Sequence, residues 1–223
     1  MAVTLAFDVY GTLIDTHGVA AMLGEIVGDR VMDFSSAWRD KQLEYSFRRG
    51  LMQNYENFAV CTRDALDHTC ARFAVEFTPG QKQSLLDIYR ELPAFDDVQD
   101  ALSDLAARGC RLYAFSNGSE EAVETLLSAA GIRDRFVGVV SCDDVRSFKP
   151  NPAVYAYFLR KAQAAGSEAW LISGNPFDVI GAISAGMRGA WVRRSADAIF
   201  DPWGIEPTIT VTSLDELADA IVT

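Results

Sequence analysis

The sequence predicts an α/β fold in which a doubly wound parallel sheet carries an inserted helical cap. Residues 3–8 form a short apolar run that ends before Gly11, which indicates a buried first strand. Residues 15–95 contain no convincing strand and space their apolar positions at helical intervals. After that stretch, strand-like runs alternate with helical patterns, and this alternation predicts parallel strands in one sheet.

Capping and turn residues predict where the later elements begin and end. The strands after the first are expected at 111–116, 136–141, 169–173, 190–193 and 208–211. Helix starts are expected at Ser35 and Ser36, at Ser119, at Asn151-Pro152 and at the capping box of Ser213 and Glu216. Helix ends are expected at Gly131 and Gly166. We therefore expect a Rossmann-like core domain of residues 1–14 and 96–223, with a helical cap subdomain at 15–95.

The charge and the hydropathy of the chain exclude two classes of partner. Its 223 residues carry 20 Lys and Arg against 31 Asp and Glu, a formal net charge of −11. A nucleic-acid binder needs a basic face, so we expect no nucleic-acid partner. The chain has no apolar run of about 18 residues, so we expect no membrane partner. Its first residues read as a strand rather than as a signal peptide.

The cysteines and histidines predict neither a zinc site nor disulfide bonds. No C-x-x-C spacing occurs, and the two histidines, His17 and His68, are isolated. Idle thiols in a reducing cytosol are the expected state of Cys61, Cys70, Cys110 and Cys142. We therefore expect a cytoplasmic protein.

Polar side chains follow the predicted strands at the points where those strands end. Ligands of open parallel sheets bind in the crevice at the carboxyl ends of the strands. Loops are polar in any protein, so convergence by chance is the alternative interpretation. The residues in question are Asp8, Ser116, Asn117, Lys149, Ser173, Asn175 and Asp178.

Asp8 directly follows the first strand, a position where an aspartate does nothing for strand formation. A carboxylate there can attack an electrophilic carbon or phosphorus and form a covalent intermediate. Gly11 permits a tight loop whose backbone N–H groups face a bound anion. An aspartate that only caps a turn explains the same residue equally well, so this segment alone leaves both interpretations open.

Four separated motifs resolve that choice through a resemblance that covers nearly the whole chain. They are D-x-x-G-T-L at residues 8–13, Ser116-Asn117, Lys149-Pro150 and Gly174-Asn175-x-x-Asp178. In this order they resemble the haloacid dehalogenase superfamily, which also places a helical cap after the first strand. The resemblance implies that Asp8 is a nucleophile.

Two acidic positions of the phosphatase branch of that superfamily are not acidic here. The second aspartate, a general acid, is replaced by Tyr10, and the first acidic residue of the last motif is replaced by Ser173. Only Asp8 and Asp178 remain as charged candidate ligands, whereas Mg²⁺ needs hard oxygen ligands. We therefore expect no metal and no other cofactor.

The segment 37–46 resembles the L-2-haloacid dehalogenases. The resemblance implies that Arg39 binds the halide, with Asn117 and Phe177 completing the halide site. An ordinary ion pair along a helix is the alternative role of this arginine. Two residues depart from the family: Asp40 stands where a glutamine is expected, and Phe177 stands where some relatives have tryptophan.

Further roles are implied by the same resemblance. Thr12 and Ser116 donate hydrogen bonds to Asp8 and to the substrate carboxylate, and Lys149 keeps Asp8 ionised. Tyr155 matches a family tyrosine near that lysine. The residues implied to position the hydrolytic water are Ser173, Asn175 and Asp178. The residues expected to line the substrate and halide pocket, besides Arg39, Ser116 and Asn117, are Val9, Tyr10, Leu43, Phe58 and Phe177; a plain core role is the alternative for Leu43 and Phe58.

The predicted reaction converts a short-chain L-2-haloalkanoic acid, or a haloacetate, into the D-2-hydroxy acid and a halide ion through an Asp8 ester. A halide leaves without a proton, so the missing general acid is dispensable, but its developing charge needs stabilisation. The resemblance also implies a homodimer formed through the cap helices. Two alternatives remain: a Mg²⁺-dependent phosphatase or phosphonatase of the same fold, and a non-catalytic binding protein that has kept the pocket.

Overall fold

The computed structural model describes residues 2–222, except for the side chain of Ala21; the chain ends Met1 and Thr223 lie outside that range. Within it, six parallel strands form one sheet in the order β3-β2-β1-β4-β5-β6. The strands are β1 (Thr4–Phe7), β2 (Arg111–Ser116), β3 (Gly138–Ser141), β4 (Ala169–Ser173), β5 (Arg188–Val192) and β6 (Ile209–Val211). The central β1 lies between β2 and β4, so the strand order reverses there, and the predicted doubly wound α/β class is confirmed.

Helices cover both the inserted stretch and the connections of the sheet. The inserted stretch holds α1 (Gly18–Val27), α2 (Val31–Met52), α3 (Phe58–Phe73) and α4 (Pro79–Asp87). The connections hold α5 (Val98–Ala107), α6 (Glu120–Ala129), α7 (Pro152–Ala162), α8 (Pro176–Ser184) and α9 (Leu217–Ile221). The division into a core and a cap at the stated boundaries stays a prediction. Among residues 2–222, no helix combines the length and the apolar character needed to cross a membrane.

Side-chain caps explain several helix starts. The side chain of Ser119 accepts a hydrogen bond from Ala122 N at the start of α6, and the side chain of Asn151 accepts one from Ala153 N at the start of α7. Ser213 forms the expected capping box near the chain end. These three predicted starts are confirmed.

Two predicted helix boundaries were wrong. Ser35 and Ser36 lie inside α2, because a short 3₁₀ turn at Gly28–Arg30 leads directly into that helix at Val31. The helix α7 ends at Ala162 rather than near Gly166, because Gln163 adopts the left-handed conformation (φ 49°) that terminates it. The start of α2 and the end of α7 therefore lack the residue types that usually mark a helix boundary.

The strand β1 fixes where the polar loop residues lie. Its side chains from Leu5 to Phe7 are fully buried, and Phe7 pairs with Ala114 of β2 on one side and with Ile172 of β4 on the other. Asp8, the next residue, therefore lies level with the ends of β2 and β4. The carboxyl edge of the sheet thus brings three distant parts of the chain together.

Candidate active site

Asp8 follows the central strand, and four side chains bind its carboxylate. Thr12 Oγ1 and Asn175 Nδ2 each donate a hydrogen bond to Oδ2 at 2.8 Å. Ser173 Oγ donates a longer one, of 3.3 Å, to the same oxygen. Lys149 Nζ donates to Oδ1 at 3.0 Å. Oδ2 therefore has three donors and Oδ1 has one, which makes the two oxygens chemically distinct.

Lys149 lies between two buried carboxylates. Its ammonium nitrogen is 3.0 Å from Asp8 Oδ1 and 2.6 Å from Asp178 Oδ2, and it also donates to the carbonyl oxygen of Phe115 at 2.9 Å. Burial alone would lower the pKa of Lys149, but attraction by Asp178 and Asp8 outweighs burial and raises that pKa well above its usual value. The ammonium therefore stays charged beside both carboxylates.

Asp178 is fully buried and bound on both oxygens. Tyr155 donates its hydroxyl hydrogen to Oδ1 at 2.7 Å, while Lys149 donates to Oδ2. Burial raises the pKa of Asp178 to about 6, with repulsion by Asp8 adding to the rise and Lys149 and Tyr155 opposing it. A carboxyl group that titrates near neutral pH is suited to accepting and passing on a proton.

The loops after β1 and β4 cross at van der Waals distance, and a glycine makes the crossing possible. A Cβ atom on Gly174 would lie 2.5 Å from the carbonyl oxygen of Gly11, closer than any side chain allows. At the same place Gly174 N donates to Thr12 Oγ1 at 2.9 Å, while the Thr12 hydroxyl donates to Asp8. The crossing therefore brings Ser173 and Asn175 within reach of the same carboxylate.

Ser116 and Asn117, at the end of β2, have their hydrogen-bonding directions set by the backbone. Gly118 N donates to Ser116 Oγ at 3.1 Å, which leaves the hydroxyl hydrogen of Ser116 available to another acceptor. Lys149 N donates to Asn117 Oδ1 at 2.9 Å, which leaves the NH₂ group of Asn117 as a donor. Both side chains line the cavity beside Asp8.

Arg39 projects from α2 into the same cavity. Its Nη1 donates to Gln42 Oε1 at 2.7 Å, and within residues 2–222 it forms no ion pair with a carboxylate. Asp40, the neighbour that departs from the family pattern, is exposed to solvent. The guanidinium group therefore keeps donors for an anion, and the ion-pair interpretation of Arg39 finds no partner in the described residues.

Gln42 is a residue of this site that the sequence did not reveal. It is buried, and its Nε2 donates to Thr62 Oγ1 on α3 at 2.5 Å while its Oε1 accepts from Arg39. Thr62 in turn donates to the carbonyl oxygen of Phe58 at 2.9 Å. Nothing in a local pattern links residues 20 positions apart on two helices, so no sequence signal identified this chain of hydrogen bonds.

The cavity beside Asp8 is small, and both polar and apolar side chains line it. Its volume is about 20 Å³, close to the space that one water needs. It adjoins a larger groove of about 550 Å³, and Tyr10 and Phe58 line both. The cavity is lined by Asp8, Tyr10, Arg39, Leu43, Phe58, Ser116, Asn117, Lys149, Asn175 and Phe177.

Some predicted site residues do not reach this wall. Behind the wall, Thr12 and Ser173 donate hydrogen bonds to Asp8, and Asp178 accepts one from Lys149. Tyr155 donates its hydroxyl hydrogen to Asp178. Val9 does not line that wall, and its role in substrate binding stays a prediction. Its side chain is buried in the hydrophobic core, because the residue after Asp8 turns away into the loop that closes on Ile14.

Tyr10 occupies the position at which a phosphatase would have its acid. Burial raises the pKa of Tyr10 to about 12, with Tyr89 adding to the rise and Arg39 opposing it. The phenol is therefore neutral at neutral pH and adds an apolar ring to the cavity wall. Its ring packs edge-on against Tyr89, at 6.1 Å between centroids.

Sequence comparison gives relatives over nearly the whole chain. The family model of haloacid dehalogenase-like hydrolases matches residues 3–186. The chain is 36% identical to the (S)-2-haloacid dehalogenase of Pseudomonas sp. (strain YL), over 98% of this chain and 94% of that protein. It is 35% identical to the haloacetate dehalogenase H-2 of Moraxella sp. (strain B), over 97% of this chain and 96% of that protein.

Structural comparison agrees with the sequence. The L-2-haloacid dehalogenase of Xanthobacter autotrophicus, solved with chloropropionic acid covalently bound, superimposes with a TM-score of 0.92 at 29% identity. The match covers 99% of this chain and 98% of that one. The chain belongs to the haloacid dehalogenase-like hydrolase family.

Proposed function

We propose that the protein hydrolyses the carbon–halogen bond of a short-chain L-2-haloalkanoic acid or of a haloacetate. The products are the D-2-hydroxy acid, or glycolate, and a halide ion. One observation carries the proposal: Asp8 and Arg39 line the same cavity. Asp8 Oδ1 accepts a hydrogen bond only from Lys149 among residues 2–222. Arg39 has no carboxylate partner in the same residues. The names of the relatives support the same substrate class.

In the first step, Oδ1 of Asp8 attacks C2 of the substrate. Oδ1 is the freer oxygen, since Oδ2 already accepts from Thr12, Asn175 and Ser173. The new Oδ1–C2 bond forms as the carbon–halogen bond breaks, and the halide leaves with the bonding electron pair. Attack from behind inverts C2. No proton moves, so a neutral Tyr10 at the general-acid position is no obstacle.

The halide and the substrate carboxylate need separate anion sites. Arg39 and the NH₂ group of Asn117 are the donors for the departing halide. The free hydroxyl hydrogen of Ser116 suits the substrate carboxylate. In a chain with net charge −11, such local donors must supply the attraction that long-range steering does not.

In the second step, water attacks the carboxyl carbon of the Asp8 ester. The negative charge develops on Oδ2, where the donors from Thr12 and Asn175 stabilise it. Asp178 accepts a proton from the water and passes it to Oδ1 as the bond between the carboxyl carbon and Oδ1 breaks. Oδ1 then leaves in the product hydroxyl, and the second proton goes to solvent as the Asp8 carboxylate reforms.

The donor set at Asp8 does not fit a magnesium ion. The carboxylates of Asp8 and Asp178 both bind the Lys149 ammonium, which occupies the space between them. Within residues 2–222, no group of three His, Cys, Asp or Glu side chains is arranged to hold a metal. We therefore propose a reaction without a metal.

The size of the cavity supports a short substrate. A volume of about 20 Å³ beside Asp8 leaves little room for a long carbon chain. Tyr10 and Phe58 line both the cavity and the larger groove, which makes that groove the substrate route that we propose.

A panel of haloacids tests the proposed function. Halide release should be measured from fluoro-, chloro- and bromoacetate and from both enantiomers of 2-chloropropionate, with and without EDTA. The proposal expects release from the L enantiomer and no effect of EDTA. Phosphate release that requires Mg²⁺ would favour the phosphatase alternative, and no halide release from any acid would favour the binding protein.

We also propose that the chain is a cytoplasmic homodimer. The neighbouring exposed side chains of Leu51 and Met52, at the end of α2, support an interface at that end of the helix. The four cysteines, all within the described residues, are free, as expected of thiols in a reducing compartment. Light scattering should give twice the chain mass, and Leu51→Glu should reduce it to the mass of one chain; a monomeric wild type contradicts the proposal.

A further inference from the structure

The two chain segments that join the sheet to α1–α4 run side by side near Asp8. Asp15 N donates to the carbonyl oxygen of Pro93 at 2.9 Å, and Phe95 N donates to that of Leu13 at 3.0 Å. The first segment continues directly from the loop that carries Thr12. The junction is therefore adjacent in the chain to Thr12, whose hydroxyl donates to the nucleophile.

Arg194, just after β5, binds one residue on each side of that junction. Its Nη2 donates to the carbonyl oxygen of Thr12 at 2.6 Å, and its Nη1 donates to Asp97 Oδ2 at 2.6 Å. Its guanidinium carbon also lies 4.2 Å from the ring centroid of Phe95, within cation–π distance. The planar guanidinium group presents two donors to these two acceptors in a fixed geometry, which the ammonium group of a lysine does not reproduce.

Asp97 holds Arg194 from the side opposite to Thr12. Its Oδ2 also accepts from Ser213 Oγ at 3.0 Å and from Leu214 N at 2.8 Å. Burial would raise the pKa of Asp97, but the hydrogen bonds from Arg194 and Leu214 outweigh burial and lower that pKa. Asp97 therefore keeps its negative charge beside the guanidinium group at neutral pH.

One atom of each side chain in this pair has no partner among the described residues. Asp97 Oδ1 and Arg194 Nε are buried and have no hydrogen-bond partner within residues 2–222. Buried polar atoms without partners are uncommon and costly, and they call for an explanation. Here the fork of Arg194 is directed at the backbone of Thr12 instead of satisfying the carboxylate fully.

We infer that Arg194, anchored by Asp97, is a positioning residue for the reaction. It holds the carbonyl oxygen of Thr12 so that the Thr12 hydroxyl stays directed at Asp8 Oδ2, the oxygen that carries the developing charge during ester hydrolysis. Arg194 touches neither substrate nor the reacting atoms. This inference rests on the proposed function and adds a residue that acts through Thr12.

A double-mutant cycle on kcat tests the inference. Arg194→Met should lower kcat about tenfold and should not raise KM, because no donor to the substrate is removed. Thr12→Val should lower kcat about 100-fold, as for the loss of one oxyanion donor. Adding Arg194→Met in the Thr12→Val background should lower kcat no further, because the hydroxyl that Arg194 positions is then already absent.

Matched variants separate positioning from folding. Arg108→Met is the control: it removes an exposed arginine that pairs with Asp104 and Asp219, far along the chain from the nucleophile loop. This change should leave kcat unchanged. Arg194→Lys keeps a charge beside Asp97 but loses the fork to Thr12, so it should show the same lack of additivity at a wild-type Tm. This second variant carries the test if Arg194→Met does not fold.

The outcomes distinguish the two proposals. A wild type that releases halide together with a fully additive cycle overturns the role of Arg194 and leaves the proposed function intact. A loss confined to KM also overturns it, since the residue would then act on substrate binding. A wild type that releases no halide from any haloacid overturns the proposed function itself.

Discussion

Arg39 and Gln42, one turn apart on α2, are joined by a 2.7 Å hydrogen bond that sets the direction of the Arg39 guanidinium group. Gln42 is buried and bound to Thr62 on the neighbouring helix, so its oxygen has little freedom. A flexible arginine thereby presents its remaining donors to the cavity in one orientation, and the entropy of ordering it for the halide is reduced.

Gln42→Leu should therefore lower kcat/KM about tenfold without changing the reaction that is catalysed. Gln42→Glu should lower it more, since a carboxylate at that position pairs with Arg39 and opposes halide binding. Both are measured by steady-state halide release. Gln99→Leu, on the exposed face of α5, is the control, and equal activity of all variants would contradict this role of Gln42.

Asp40 is exposed, and within residues 2–222 it forms no ion pair with Arg39. We therefore predict that Asp40→Gln changes kcat and KM by less than about twofold, as is usual for surface substitutions. Steady-state kinetics on one haloacid suffices. A several-fold gain in halide affinity would instead mean that this carboxylate weakens the anion site.

The raised pKa of Asp178 predicts the acid limb of the pH profile. The ionised form accepts the proton of the water, so kcat should fall as the pH drops through about 6. Tyr155→Phe removes a hydrogen bond that favours the charged form, so the limb should move to higher pH. The measurement is kcat against pH for both proteins, and a limb that moves to lower pH contradicts the assignment.

The same shift has a consequence for folding. The folded-state pKa of Asp178 is about 6, against an ordinary value of 3.8, so the folded state binds the proton more tightly than the unfolded state does. Between these two pH values this group makes the protein less stable as the pH rises. Urea unfolding of wild type and Asp178→Asn across that window should show this slope in the wild type only.

Lys149 forms ion pairs with two buried carboxylates, so its removal should destabilise the folded protein. Lys149→Met should lower the free energy of unfolding at neutral pH by about 3–5 kcal/mol, as expected when one partner of a buried ion pair is removed. Lys82→Met, which removes the partly exposed pair with Asp67, should lower the free energy of unfolding by less than about 1 kcal/mol. Urea titrations measure both, and equal small losses contradict the account.

The sheet and the place of the site could be predicted from the sequence. The strands β2 and β4 have the predicted bounds, because strands buried on both faces read as continuous apolar runs. The convergence of Asp8 and Lys149 follows from the rule that parallel strands end at one edge. These features depend on local composition and on a general rule of topology.

The supporting contacts could not be predicted, because they join residues that no local pattern relates. Thr12 and Arg194 are 182 positions apart, and Gln42 and Thr62 lie on different helices. The burial of the Val9 side chain has the same origin, since only the loop geometry decides which way the residue after the nucleophile faces. Tertiary packing determines these contacts, and a single sequence does not display it.

The covalent ester on Asp8 is the central claim, and isotope transfer tests it most directly. Enzyme in excess over substrate should be allowed one turnover in H₂¹⁸O, followed by mass spectrometry of the Asp8-containing peptide and of the hydroxy acid. We predict that ¹⁸O appears in the Asp8 carboxylate and that the product hydroxyl carries ¹⁶O, since Oδ1 leaves with the product. Label in the hydroxy acid with none in Asp8 would contradict the ester and indicate direct attack of water on the substrate.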